Sequence, residues 1–188
     1  MKKSFSSSMI NSSCTYRGSY INVFINEFSS NDGRTFKQEV VLHPGAVAIL
    51  PFLDENTVVM IRNERYAVQE TLWELPAGTL EINEQPLETA KRELLEETGY
   101  RATHMHAMTQ LLSTPGFCTE KMHAYVATDL SLEKQSLDES EKISVHPLPI
   151  KEVMEMIHKG DIIDAKTIAI FLYYQQFIQK KPMPRIEG

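Results

Sequence analysis

Alternating apolar and polar positions mark the first part of the chain. They alternate over residues 20–28, which is typical of a half-buried strand. The turn sequence SNDG follows at residues 30–33, and residues 35–42 form the predicted return strand. We therefore predict an N-terminal antiparallel β-hairpin over residues 16–42, preceded by a flexible, Ser-rich N-terminus at residues 1–15.

The rest of the chain shows apolar runs and helix signals. Pro86 suits the first turn of a helix and Gly99 the position just past its end, so a helix is predicted between them. The other predicted elements are core strands at 46–52 and 57–62, apolar runs at 109–112 and 122–127, a polar and acidic connection at 133–142, an amphipathic helix at 151–159, a final helix at 165–179 behind the N-cap Asp164, and a frayed tail at 181–188.

Composition narrows the class of protein. The chain has 188 residues, 42% hydrophobic and 23% charged, which fits one globular domain of ordinary size. The net charge of −6 and the lack of a Lys/Arg cluster argue against a nucleic-acid partner, and no apolar run is long enough for a membrane span. Cys14 and Cys118 lie far apart without motif spacing, which suits a reducing, cytoplasmic location.

Three glutamates share one face of the helix predicted between Pro86 and Gly99. At about 100° per residue, Glu96 and Glu97 lie within about 60° of Glu93. Glu93 and Glu97 repel each other at i,i+4, and both lie in the half of the helix where the macrodipole disfavours anions. A solvated acidic face is one explanation. A bound divalent cation is the other, because it would reverse the sign of both penalties.

A longer motif surrounds these glutamates. From Gly78 to Tyr100 the chain runs GTLEINEQPLETAKRELLEETGY. This segment resembles the Nudix box, G-x5-E-x7-R-E-U-x-E-E-x-G-U, where U is a bulky apolar residue. The positions that match are Gly78, Glu84, Arg92, Glu93, Leu94, Glu96, Glu97 and Gly99. Tyr100 is a looser match at the last position, which is more often aliphatic.

The resemblance implies a fold and a metal site. It implies an α+β fold, an α/β/α sandwich around a mixed sheet, over residues 43–180. It also implies that Mg²⁺ or Mn²⁺ is bound by Glu93 and Glu97, with Glu96 nearby and the Ala77 carbonyl as a further ligand. Magnesium prefers such oxygen ligands and retains waters, so a water activated by the metal can attack a diphosphate. The catalytic residues implied are Glu97 and Arg92, where Arg92 together with Glu84 also holds the loop and helix in register.

Segments outside the box resemble the ADP-ribose pyrophosphatase branch of the family. They include EVVLHPGAVAILP, RNERYAVQETLWELPAG, STPGFCTEKMHAYVA and DAKTIAIFLYY. The branch implies hydrolysis of ADP-ribose to AMP and ribose 5-phosphate, with Arg65, Pro115 and Gly116 at the substrate. One departure is Asn63-Glu64-Arg65 in place of the usual Gln-Tyr-Arg, and Glu64 would add negative charge near a phosphate site if it pointed inward.

The resemblance also implies a glutamate on a mobile loop that closes over the substrate and acts as general base. The acidic connection offers two candidates, Glu139 and Glu141, and the sequence does not choose between them. The alternative is a solvated loop without a catalytic role. A base on such a loop would approach the metal site only after closure.

Relatives of this branch also use the N-terminal hairpin to build a dimer and to lend residues across it. We therefore expect a homodimer held partly by residues 16–42. Tyr16 or Tyr20 could then stack on the adenine ring, although both could equally be packing residues.

Two alternatives to ADP-ribose hydrolysis remain at this point. The chain could cut another nucleoside diphosphate sugar, such as GDP-mannose, which would keep the same metal chemistry. It could also be a sensor that binds ADP-ribose without cutting it. Sensors of this kind usually lose glutamates of the box, whereas Glu93, Glu96 and Glu97 are all present here.

Overall fold

The computed structural model describes residues 6–178, which fall into two compact units. The first contains the chain up to Gly45 together with Leu112–Lys121. The second contains Ala46–Leu111 and the chain from Met122 onward. The predicted tail at 181–188 lies outside the described residues, as do the first five residues of the predicted flexible N-terminus.

The N-terminal unit is a three-stranded antiparallel sheet. It contains β1 (Ser7–Arg17), β2 (Asn22–Ser30) and β3 (Thr35–Leu42), in the order β1-β2-β3. The pairing of β2 with β3 confirms the predicted hairpin, and its turn uses Gly33 at a φ of +82°. The prediction that the chain is flexible up to residue 15 is wrong for the part that forms β1. Both faces of β1 are largely exposed, so its sequence lacks the apolar alternation that would have revealed a strand.

Two sheets form the second unit. The strands are β4 (Ala46–Pro51), β5 (Thr57–Arg65), β6 (Glu70–Glu74), β7 (Ala77–Thr79), β8 (Tyr100–Leu112), β9 (Lys121–Leu132) and β10 (Ile143–Pro149). A mixed sheet has the order β7-β4-β9-β8, in which β4 runs parallel to β9 and antiparallel to β7. A second, antiparallel sheet has the order β10-β5-β6.

Helices cover both faces of the mixed sheet. One face packs against α1 (Pro86–Thr98), and the other against α2 (Ile150–Lys159) and α3 (Ala165–Tyr173). The side chains between α1 and the sheet are Val47, Ile49, Ala90, Leu94, Tyr125 and Ala127. Those on the other face include Ala48, Leu50, Ala124, Val126, Val153, Ile170 and Phe171. The predicted α/β/α sandwich around a mixed sheet is thereby confirmed, and each large apolar side chain buried here stabilises it by about 1.5–3 kcal/mol.

The helix ends follow the predicted signals. Pro86 begins α1, and Gly99 ends it at a φ of +73°, a left-handed conformation that glycine adopts without steric cost. Asp164 caps α3 by accepting a hydrogen bond from the Thr167 amide. The final helix differs from the prediction, because its α-helical part ends at Tyr173 and a π-helical segment follows. None of the helices within residues 6–178 is both long and apolar enough to cross a membrane.

Candidate active site

Two glutamates of α1 are buried against the mixed sheet. Glu93 is 8% exposed and Glu97 is 2% exposed, because both lie beside the apolar stripe that packs α1 onto the sheet. The amide of Ala77, in β7, donates a hydrogen bond of 2.8 Å to Oε2 of Glu97. Glu96, the third glutamate of the predicted face, is only partly buried. The structure therefore brings Glu93, Glu97 and Ala77 together.

Gly78 allows the close approach between β7 and α1. A Cβ atom at this position would overlap the carboxylate of Glu93. Gly78 therefore has to lack a side chain if Glu93 is to occupy its place. This contact gives the first glycine of the box a steric role.

Burial makes both carboxylates reluctant to ionise. It raises the pKa of Glu93 to about 7, although the adjacent Arg92 favours the charged form. It also raises the pKa of Glu97 to about 8, and repulsion from Glu93 and Glu141 adds to the effect. Without a cation, these two carboxyl groups therefore retain protons close to neutral pH.

This pKa shift predicts a pH-dependent stability for protein freed of metal by a chelator. Because the Glu97 carboxyl has a higher pKa folded than unfolded, its protonation stabilises the fold below about pH 4.5, and that contribution is lost as pH rises towards 8. Glu97→Gln should remove this pH-dependent loss. The free energy of unfolding of the variant, relative to that of wild type, should therefore rise by on the order of a few kcal/mol from pH 5 to pH 8.5. Urea unfolding of both proteins at the two pH values measures the gain. Equal pH dependence in both would contradict the prediction.

Arg92 joins the loop of the box to α1. Its Nε and Nη2 each donate to a Glu84 oxygen at 3.0 Å, and Nη1 donates to Glu93 at 2.8 Å and to Glu96 at 2.9 Å. The guanidinium holds the pKa of Glu84 at about 2. This geometry matches the expected role in holding loop and helix in register, whereas a catalytic role for Arg92 stays a prediction. Glu88, one turn before Arg92 on the same helix, pairs with Lys91 and not with Arg92.

The donor set fits a hard divalent cation. Among residues 6–178, no three His, Cys, Asp or Glu side chains are arranged to hold a metal ion by themselves. Magnesium, however, is commonly held by one or two carboxylates, waters and substrate phosphates. Glu93 and Glu97 supply two adjacent carboxylates, and Glu97 forms no ion pair within the described part of the chain. A cation between them would favour the ionised forms that burial disfavours.

The acidic connection between β9 and β10 is tied to the end of α1. The Glu133 amide donates to the Gly99 carbonyl at 2.7 Å, the Gln135 side chain to the Glu97 carbonyl at 2.6 Å, and the Ser136 amide to the Glu96 carbonyl at 3.0 Å. These bonds satisfy carbonyls that the end of a helix leaves free. The first part of the connection is therefore anchored beside the site.

The two candidate glutamates of this connection differ in their surroundings. A turn joins Asp138 to Glu141, whose carboxylate accepts a hydrogen bond of 3.0 Å from the Asp138 amide. The charge of Glu141 contributes to the raised pKa of both Glu93 and Glu97. Glu139 is exposed and has no comparable effect on either carboxyl group. Of the two glutamates, it is therefore Glu141 whose charge acts on the buried pair.

Arg65 belongs to a buried ionic cluster that the sequence analysis missed. Its Nε and Nη2 donate to the two carboxylate oxygens of Glu74 at 2.7 and 2.5 Å. Glu74 is 1% exposed and also accepts from Lys166 at 2.6 Å. Burial opposes ionisation of Glu74, but the two cations outweigh it and hold its pKa below the usual range. The hypothetical inward Glu64 is instead exposed and pairs with Lys142 at 3.4 Å.

The remaining two predicted substrate residues belong to the N-terminal unit. Pro115 and Gly116 lie in a short segment bonded to β3, where the Val41 amide donates to the Phe117 carbonyl at 2.7 Å. The Thr119 amide donates back to the Val41 carbonyl at 3.0 Å. Their contact with a substrate therefore stays a prediction.

Comparison with known proteins settles the family. The NUDIX domain family matches residues 42–171, a stretch that includes α1 and its glutamates. The chain belongs to the Nudix family. A solved structure described as an ADP compounds hydrolase has a TM-score of 0.83 and 22% sequence identity, covering 95% of this chain and 97% of its own. That likeness confirms the Nudix fold of this chain.

Several proteins similar to this Nudix protein are named for their activities. An ADP-ribose pyrophosphatase from Bacillus subtilis is 36% identical, covering 85% of this chain and 88% of the relative. A methanol dehydrogenase activator from Bacillus methanolicus is also 36% identical, over 93% and 96%. A GDP-mannose pyrophosphatase from Salmonella typhimurium is 33% identical, over 70% and 73%. The predicted resemblance to the ADP-ribose pyrophosphatase branch is confirmed.

Proposed function

We propose that this Nudix protein hydrolyses the diphosphate of ADP-ribose to AMP and ribose 5-phosphate, with Mg²⁺ or Mn²⁺ held by Glu93 and Glu97. The observation that carries the proposal is the buried pair of carboxylates, which repel each other and are incompletely compensated by the protein. A structural role alone would not explain two buried carboxylates on adjacent turns of one helix. The likeness to an ADP-ribose pyrophosphatase supports the choice of substrate.

Each residue of the site has a task in this reaction. A bound divalent cation would neutralise the diphosphate and acidify a water. Glu93 and Glu97 hold the cation, Glu96 assists, and the Ala77 carbonyl is the further ligand we propose. The Ala77 amide fixes one oxygen of Glu97 and so orients the other. Arg92 fixes Glu93 and Glu96 through its bonds to both.

The substrate is held by residues outside the box. Arg65 binds a phosphate of the diphosphate, a task that suits the planar guanidinium. Pro115 and Gly116 contact the rest of the nucleotide sugar in our proposal. The partner is thus a small molecule rather than a nucleic acid, in keeping with the net charge of −6. The two free thiols of Cys14 and Cys118 support the expected cytoplasmic location.

Glu141 is the general base of this proposal, because its charge already acts on both buried carboxyl groups. It accepts the proton of the attacking water as the water oxygen bonds to one phosphorus of the diphosphate and the bridging P–O bond breaks, which releases AMP and ribose 5-phosphate. Glu141→Gln should lower kcat for ADP-ribose by about 100-fold, in the range general-base catalysis supplies. Glu139→Gln, the matched control from the same connection, should remain within about twofold of wild type by that assignment. Steady-state kinetics of both variants decides, and a larger loss in Glu139→Gln would reverse the assignment.

The N-terminal sheet supports the expected homodimer. Its strands and turns expose large apolar side chains, among them Met9, Ile10, Tyr16, Tyr20, Phe36 and Leu42. The number of such side chains on one small sheet favours an interface with another copy of the chain. We expect sedimentation at micromolar concentration to give a dimer, and Ile10→Asp to shift it towards monomer. A monomeric wild type would contradict the proposal, and Tyr16 or Tyr20 could then not reach an adenine across the dimer.

The proposed function is tested by hydrolysis of a substrate panel with and without Mg²⁺. The panel contains ADP-ribose, GDP-mannose, ADP-glucose, a dinucleoside polyphosphate and an oxidised deoxynucleoside triphosphate. We expect ADP-ribose to be cleaved fastest, and only with the metal. Preference for GDP-mannose would move the substrate to that of the Salmonella relative and keep the site chemistry. Binding of ADP-ribose without cleavage would establish the sensor alternative.

The relative named methanol dehydrogenase activator, which matches almost the whole chain, suggests a second candidate function. In this reading the protein raises the activity of an alcohol dehydrogenase. The test adds wild type or Glu97→Gln to a purified bacterial methanol dehydrogenase and records its rate. Activation by wild type but not by the variant would show that the hydrolytic site carries this effect, and no activation by either would exclude it.

A further inference from the structure

Four charged side chains are packed together where β5, β6 and α3 meet. Glu74 lies at the centre and accepts hydrogen bonds from Arg65 and Lys166. Lys166 also lies 3.0 Å from Asp164, the N-cap of α3. Only Arg65 is substantially exposed, with 41% of its side chain accessible, whereas Lys166 and Asp164 are each 15% exposed. The cluster therefore exposes the cation of Arg65 to solvent and keeps its other three charged side chains largely buried.

The Arg65–Glu74 contact leaves part of the guanidinium available. A guanidinium carries five N–H groups, and the side-on fork uses one on Nε and one on Nη2. Nη1 makes no hydrogen bond to the part of the chain that the structure describes. The charge of Arg65 also acts on Glu97, whose ionised form it favours. Arg65 therefore interacts electrostatically with Glu97 while it keeps free donors.

Glu74 presents an electrostatic difficulty if Arg65 is to bind an anion. An ion pair of one guanidinium and one carboxylate has no net charge, so its attraction for a phosphate is weak. If the anion draws Arg65 away, a buried carboxylate is left without compensation, which is strongly unfavourable. Lys166 removes the difficulty, because it compensates Glu74 independently at 2.6 Å. Asp164, in turn, is stabilised by the Thr167 amide and the N-terminus of α3.

We propose that Glu74 and Lys166 are positioning residues for Arg65: Glu74 fixes the guanidinium side-on, and Lys166 compensates Glu74 so that the charge of Arg65 is available to an anionic group. The proposal rests on the proposed function in assigning a diphosphate to Arg65. Lys166 then influences binding only through Glu74 and Arg65. It does not contact the substrate.

A double-mutant cycle separates this role from direct contact and from simple stabilisation. The probe is ADP with Mg²⁺, whose Kd is measured by calorimetry, so that no turnover is needed. The variants are Lys166→Met, Arg65→Ala and the combination of the two, with Lys166→Arg as the conservative replacement. Lys159→Met is the matched control, because Lys159 is an exposed lysine of α2 paired with Glu155.

We expect Lys166→Met to weaken ADP binding by about tenfold in the wild-type background and by less than about twofold when Arg65 is already alanine. Lys166→Arg should restore most of the affinity, and Lys159→Met should leave it unchanged. Equal losses in both backgrounds would overturn the proposal, since Lys166 would then act independently of Arg65. No loss in either background would overturn it as well.

Hydrolysis by the same variants distinguishes this proposal from the proposed function. Lys166→Met should raise KM for ADP-ribose about tenfold and change kcat by less than about threefold, because it alters the phosphate contact and not the glutamates. Absence of hydrolysis in the wild type would defeat the proposed function but would leave the ADP cycle interpretable. Thermal unfolding of each variant identifies any loss of affinity that follows from loss of fold.

Discussion

Glu97→Gln should lower kcat for ADP-ribose by at least about 1000-fold, because it removes one of the two carboxylates that we propose as metal ligands. The amide of Ala77 can still donate to the side-chain oxygen of glutamine, so the local hydrogen bond is retained. The added NH₂ group cannot serve as a ligand for a hard cation. Steady-state hydrolysis over a range of Mg²⁺ concentrations measures the effect.

The control for this variant is Glu88→Gln on the same helix. Glu88 pairs with Lys91 on the outer surface, so its activity should stay close to wild type. Circular dichroism should show that both variants fold. If Glu97→Gln retained turnover near that of wild type while remaining folded, the assignment of Glu97 to the metal would be wrong.

Gly78→Ala should lower hydrolysis by about 100-fold or more with little change in the overall fold, since small displacements of catalytic groups have effects of this size. The new methyl group would occupy the space of the Glu93 carboxylate, and either Glu93 or β7 must move. Overpacking of this kind typically costs about 1–3 kcal/mol of stability. Kinetics and thermal unfolding of the variant together measure both effects.

Gly116→Ala is the matched substitution for stability, because its added Cβ meets no atom within 4 Å. It should unfold at nearly the temperature of the wild type. A Gly78→Ala protein with unchanged Mg²⁺ dependence and unchanged rate would show that the close approach to Glu93 is not required for catalysis.

The helix and its carboxylates were predictable because their signals are local. Pro86 and Gly99 mark the ends of α1, and the spacing of Glu93 and Glu97 places them on one face whatever the rest of the fold does. The buried state of the glutamates was not predictable from spacing, because it depends on β7 packing against α1.

Contacts between distant parts of the chain could not be predicted in this way. Glu74 and Lys166 are 92 positions apart, so no sequence period relates them. The strand β1 was missed because its partner β2, rather than its own pattern, determines its conformation. The different surroundings of Glu139 and Glu141 likewise depend on the turn that begins at Asp138.

The bonds from Glu133, Gln135 and Ser136 to the last turn of α1 limit how the acidic connection can adapt. Under the proposed function, any movement of Glu141 has to come from the residues between Ser136 and Ile143, where β10 begins. Insertions before Ser136 would have to break helix-end contacts, whereas insertions after it would lengthen only this short segment. Related enzymes could therefore diverge in substrate size by changing the chain length after this anchor while keeping the glutamates of α1 in place.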